Sequence, residues 1–126
     1  MSTMRAMVVD DSRAMRKILG RILNEIGFDV VEAGDGLEAL EQLRTDSEIE
    51  VALVDINMPN MNGIELIKAV RGNMIWDDLK LLMVTSETEM NSMVEALEAG
   101  ANEYATKPFD SMVILDKLRM MGVGDE

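Results

Sequence analysis

The chain has 126 residues, with 12 Lys plus Arg against 24 Asp plus Glu, a net charge of −12, and neither Cys nor His. That length suits a single domain over residues 1–126 with one sizeable core, and the missing Cys and His exclude disulfides, thiolate or imidazole metal clusters and any nucleophile–imidazole pair, so a metal must take oxygen ligands. The charge opposes nucleic acid and anionic lipid, and with no apolar run longer than four residues neither a membrane span nor a secretory signal is expected, which places the protein in the cytoplasm.

The first apolar run, Met4 to Val9, reads as a strand. Ser12 is then a plausible N-cap for a helix whose apolar positions Met15, Ile18, Leu19, Ile22 and Ile26 recur at helical spacing up to Gly27. Asp29 to Glu32 is a second strand, followed by a weaker helical pattern at Leu37, Leu40 and Leu43. Val51 to Val54 and the helix carrying Ile64, Ile67 and Val70 come next. Leu81 to Val84 precedes a helix at Met90, Met93, Val94 and Leu97 that stops at Gly100, and Asn102 to Thr106 precedes a last helix at Val113, Leu115 and Leu118. The 13 Met and only four aromatics, Phe28, Trp76, Tyr104 and Phe109, predict an aliphatic core with adaptable thioether filling.

Runs as uniformly apolar as Val51-Ala52-Leu53-Val54 and Leu81-Leu82-Met83-Val84 suit strands buried on both faces of a parallel sheet. Alternation of strand and helix implies right-handed crossovers and a doubly wound α/β fold, whose ligands bind at the carboxyl ends of the strands. Asp10-Asp11, Asp55, Thr85-Ser86 and Lys107-Pro108 stand at those ends. Each alone has an ordinary reading: Asp caps helices, Thr ends strands and Lys-Pro is common in loops. Asp55 is harder to explain so, because it directly follows an apolar run with two more carboxylates converging on it. Like charges about 4 Å apart cost about 4 kcal/mol per pair at an effective dielectric of about 20. Lys107 offers one compensating charge and a Mg²⁺ ion two more. Such a site suggests Asp55 as a nucleophile for a phosphoryl group, with Lys107 and the Thr85 hydroxyl on the phosphoryl oxygens.

Four blocks, Val8-Val9-Asp10-Asp11-Ser12, Val54-Asp55-Ile56-Asn57-Met58-Pro59-Asn60-Met61-Asn62-Gly63, Met83-Val84-Thr85-Ser86 and Ala105-Thr106-Lys107-Pro108-Phe109, occur in this order. Together they resemble the receiver domain of two-component response regulators, over roughly residues 4–121, and most of all the single-domain chemotaxis type. The resemblance implies a flavodoxin-like (βα)5 three-layer sandwich with a five-stranded parallel sheet in order 2-1-3-4-5. It implies Asp55 as phosphoacceptor, a Mg²⁺ ion on Asp10, Asp11, Asp55 and the Asn57 backbone carbonyl, and Lys107 as phosphate contact. Thr85 and Tyr104 become the switch pair, Lys107-Pro108 a cis peptide, and Asn57 and Glu87 the residues governing the water that hydrolyses the aspartyl phosphate. Further implications are a CheA-like histidine kinase as phosphodonor, an output protein such as the flagellar motor switch, a phosphatase partner, a monomeric state and weak self-dephosphorylation rather than enzyme turnover.

Arg13, Arg16, Lys17 and Arg21 form a basic stripe on the first helix, either a solvated face or a kinase docking surface. Residues 81–106 carry Glu87, Glu89, Glu95, Glu98 and Glu103 and no Lys or Arg, which favours a partner with a basic element, while Met90 and Met93 read as core filling before output contacts. Lys117 matches a basic position on the chemotaxis output face. Two alternatives stand beside this reading: a phosphorelay intermediate or phosphate sink serving a histidine phosphotransfer protein, and an aspartyl-phosphate phosphatase. The phosphatase class usually places an acid two residues after its nucleophile, where this chain has Asn57.

Overall fold

Five parallel strands form one sheet in the order β2-β1-β3-β4-β5 in the computed structural model, which describes residues 4–123. In chain order the elements are β1 (Arg5–Val9), α1 (Arg13–Ile26), β2 (Asp29–Ala33), α2 (Gly36–Thr45), β3 (Ile49–Asp55), α3 (Gly63–Arg71), β4 (Lys80–Thr85), α4 (Met90–Ala99), β5 (Glu103–Thr106) and α5 (Ser111–Met120). Short 3₁₀ turns at Met74–Trp76 and Glu87–Glu89 lead into and out of β4. This is the flavodoxin-like three-layer arrangement that the sequence blocks imply.

Alternation along each strand divides the core between the two faces of the sheet. Ala6, Val8, Val51, Leu53, Leu82 and Val84 pack with Leu19 and Leu23 of α1 and Ile114 and Leu118 of α5. Met7, Val9, Ala52, Val54, Leu81 and Met83 pack with the apolar sides of α2, α3 and α4. Both faces being covered accounts for the unbroken apolar runs.

Ser12 caps α1 by accepting from the Met15 N–H at 3.2 Å. Gly27 and Gly100 end α1 and α4 at φ 125° and 123°, a backbone region that favours glycine. β3 runs from Ile49 to Asp55, longer at both ends than its apolar run, because the ladder to β1 starts at Ile49 and Asp55 still pairs with Val84. The helical spacing overstated the buried faces: Ile18, Leu37, Val94, Leu97 and Val113 are exposed. On α4 only the Met93 and Ala96 side faces the sheet, so Met93 fills the core as expected; the Met90 side chain lies outside the described residues. No helix among the described residues is long and apolar enough to cross a membrane.

Candidate functional site

Strand register alone brings the polar strand ends together. Val9 pairs with Val54, Asp55 with Val84, and Thr85 with Thr106, so Asp10, Asp55, Thr85 and Lys107 emerge at one edge. Lys107 is tied to β4 by its backbone N–H donating to the Thr85 carbonyl at 2.6 Å, and the Lys107–Pro108 peptide is cis.

The turn after β3 has little freedom. The Gly63 N–H donates to the Ile56 carbonyl at 2.8 Å, and a Cβ on Gly63 would stand 2.3 Å from the Asp55 carbonyl oxygen, so only glycine lets the chain pass there. Asn62 and Glu65 then start α3 with reciprocal capping bonds of 2.9 Å.

Carboxylate oxygens of Asp10, Asp11 and Asp55 lie within 4.8 Å of one another. Asp10 and Asp55 are buried and Asp11 is exposed, an arrangement open on one side. Asp10 accepts from the Ser12 N–H through Oδ1 at 2.8 Å, whereas its buried Oδ2 has no hydrogen-bond partner. A helix-capping role for Asp10 is therefore not what holds it here, since Ser12 caps α1 and one Asp10 oxygen is unused. Burial, and then the Asp10 charge, push the Asp55 carboxyl up to about 6, against the pull of Lys107. Burial likewise raises Asp10 above its ordinary value. Lys107 Nζ lies 3.8 Å from Asp55 Oδ1 and is the one ion pair of Asp55 among the described residues. An oxygen-only donor set with an orphaned buried oxygen and a charge excess of this kind fits a small divalent cation such as Mg²⁺.

Thr85 is fully buried, and its hydroxyl donates to Glu89 Oε1 at 3.0 Å. Asn57 is exposed beside Asp55, and its side-chain amide donates to the other Glu89 oxygen. Glu89 carried no role in the sequence reading; the Ser86-x-x-Glu89 spacing, a capping-box pattern, was the signal available. The side chain of Glu87, expected to govern water access, lies outside the described residues. Tyr104 is half-buried on β5 with the Lys117 ammonium 4.9 Å from its ring centre, and Lys117 also pairs with Glu103 at 3.2 Å.

The α1 basic stripe is only partly a free surface. Arg16 donates to Glu32 Oε1 at 2.9 Å and to the Asp10 carbonyl at 2.6 Å, and Lys17 reaches Glu32 at 3.4 Å. Arg13 and Arg21 are exposed. A cavity of about 540 Å³ lined by Trp76, Leu79 and Val123 touches none of the site residues.

Two buried carboxylates and an exposed third thus stand with a lysine and a threonine at the carboxyl edge of a parallel sheet, an arrangement that could hold a cation. The chain belongs to the response regulator receiver domain family, whose sequence model matches residues 6–119. It is 42% identical over 123 residues to the Chemotaxis protein CheY homolog of Campylobacter jejuni, covering 96% of this chain and 95% of that one. To Chemotaxis protein CheY1 of Helicobacter pylori it is 40% identical over 124 residues, covering 97% and 100%. The crystal structure of Vibrio cholerae chemotaxis protein CheY4 superposes with a TM-score of 0.87 at 32% identity, covering 95% of this chain and 99% of that one.

Proposed function

We propose that this receiver is a stand-alone chemotaxis response regulator of the cytoplasm in which Asp55 takes a phosphoryl group from a phosphohistidine of a CheA-like kinase in a Mg²⁺-dependent reaction. The observation carrying this reading is the convergence of Asp55, the orphaned Asp10 oxygen, Lys107 and Thr85 on one sheet edge. An Asp55 carboxylate oxygen attacks phosphorus. The P–N bond to the donor imidazole breaks, its electron pair stays on that nitrogen, and a solvent proton neutralises it. Lys107 faces the phosphoryl oxygens with its ammonium, and the Thr85 hydroxyl donates to one of them. Asp10, Asp11, Asp55 and the Asn57 carbonyl would hold Mg²⁺, which would supply charge neutralisation there. Slow hydrolysis of the acyl phosphate returns Asp55 without turnover of any separate substrate, so the protein is a phosphoacceptor rather than an enzyme.

Output is by contact. Val94 and Leu97 are exposed on α4 beside the carboxylates Glu95 and Glu98, and Met112 and Val113 are exposed on α5; the α4 surface suits a partner element combining apolar and basic residues, such as one on the flagellar motor switch. Intact-mass measurement with acetyl phosphate, with and without Mg²⁺, tests the assignment. The parent should gain one phosphoryl group only with the metal, and Asp55→Asn should gain none; an equal adduct on the variant refutes it.

A further inference from the structure

Glu89 brings a fourth carboxylate to a site already overfull of them, and it arrives by neutral donors alone. One oxygen accepts from the Thr85 hydroxyl at 3.0 Å, the Ser86 N–H at 3.2 Å and the Ser86 hydroxyl at 3.1 Å, while the other accepts from the Asn57 amide. Glu89 forms no ion pair among the described residues. A local cap explains the Ser86 contacts, because Glu at the third position of a helical turn reaches back to the first N–H. It does not explain the bond to Thr85, nor the one to Asn57, which is 32 residues away in the chain. A hydroxyl has one proton to donate, so Thr85 cannot serve Glu89 and a phosphoryl oxygen at once.

We propose that Glu89 is a positioning residue that holds the unphosphorylated site closed, its carboxylate standing on the Thr85 hydroxyl and the Asn57 amide until a phosphoryl group on Asp55 displaces it. This deepens the phosphoacceptor reading and rests on it. Glu89 and the phosphoryl oxygens compete for the same donor and repel one another, so the phosphorylated state requires the 3₁₀ turn Glu87–Glu89 to release its carboxylate. That turn joins β4 to α4, so release carries the event to the helix bearing Val94 and Leu97. Displacement also frees the Asn57 amide beside the acyl phosphate only after phosphoryl transfer has occurred.

The test uses beryllofluoride with Mg²⁺ as a phosphoryl stand-in on Asp55, titrated by ¹⁹F NMR. Glu89→Gln keeps the capping geometry, since Gln serves the same cap, but removes the charge; Glu89→Ala removes both. Both variants should bind beryllofluoride more tightly, by about tenfold for Glu89→Ala, the order of a single charge-assisted hydrogen bond. In a Thr85→Ala background the gain from Glu89→Ala should shrink, because the shared donor is gone and only the charge repulsion remains. In ¹⁵N spectra the Ser86 N–H and the Asn57 side-chain amide of the parent should move on adduct formation toward their positions in free Glu89→Ala. Parent-like affinity in both variants, or an undiminished gain without the Thr85 hydroxyl, overturns the inference while leaving Asp55 as acceptor. If the parent forms no Asp55-dependent adduct at all, the phosphoacceptor reading and this one fall together.

Discussion

Removing the Asp55 charge should stabilise the metal-free protein, and only where that charge exists. Burial and Asp10 raise this carboxyl from its ordinary 3.8 to about 6, with the Lys107 attraction already pulling the other way. Between those values the folded protein keeps a proton that the unfolded chain has released. The stability linked to this group is therefore complete below about pH 4 and is lost as the pH rises through about 6. At about 1.4 kcal/mol for each pH unit of displacement the full loss is about 3 kcal/mol, and Asp55, 8% exposed, is shielded enough for most of it to be felt. Asp55→Asn cannot ionise, so urea unfolding in chelator, followed by circular dichroism, should find it about 2–3 kcal/mol more stable than the parent at pH 8. The two should nearly coincide at pH 4. Adding Mg²⁺ to ten times its dissociation constant should return about 1.4 kcal/mol to the parent and less to the variant. A variant less stable than the parent at pH 8, or an advantage of equal size at pH 4, would refute the account of the site as a field of uncompensated carboxylates.

Three further outcomes concern arginines of α3 and α1. Arg71 donates to the carbonyls of Gly100, Trp76 and Leu79 and to the Asn102 side chain, at 2.8 to 3.1 Å, tying the end of α3 to both flanks of β4. Arg71→Ala should cost about 2–4 kcal/mol in urea unfolding by stranding these acceptors, with phosphoacceptor chemistry retained below the transition. On α1, Arg13→Glu should slow phosphotransfer from the cognate kinase, more so at low salt, and leave the rate with acetyl phosphate unchanged. Arg16→Ala should lower both rates, because Arg16 holds the Asp10 carbonyl and Glu32; equal behaviour of the two variants would deny that division.

The polar edge was legible because apolar strand runs ended in polar residues that a parallel register must collect. Asp10, Asp55, Thr85 and Lys107 needed no more than strand order to meet. Arg16 misled for the opposite reason: helical spacing places it on a basic stripe, but only the position of β2 shows Glu32 waiting for its guanidinium. Val94 and Leu97 repeat as core residues do, and α4 nevertheless buries Met93 and Ala96, since a short amphipathic pattern leaves the choice of inward face to tertiary packing. Glu89 depends on the path of a 3₁₀ turn, which has no periodicity to read, although its spacing from Ser86 held a hint.

The backbone ladders that align the four strand ends also act as a checksum on assembly. Because side chains alternate along a strand, a slip of β3 by one residue would offer apolar Val54 or Ile56 where Asp55 now stands and send Asp55 away from Asp10 and Lys107. A molecule with any of these strands out of phase would lose the orphaned oxygen, the lysine pairing and the carboxylate cluster together. At the proposed cation site, the number of divalent ions bound per chain would therefore count correctly threaded molecules in a refolded sample, which helix content measured by circular dichroism would not distinguish.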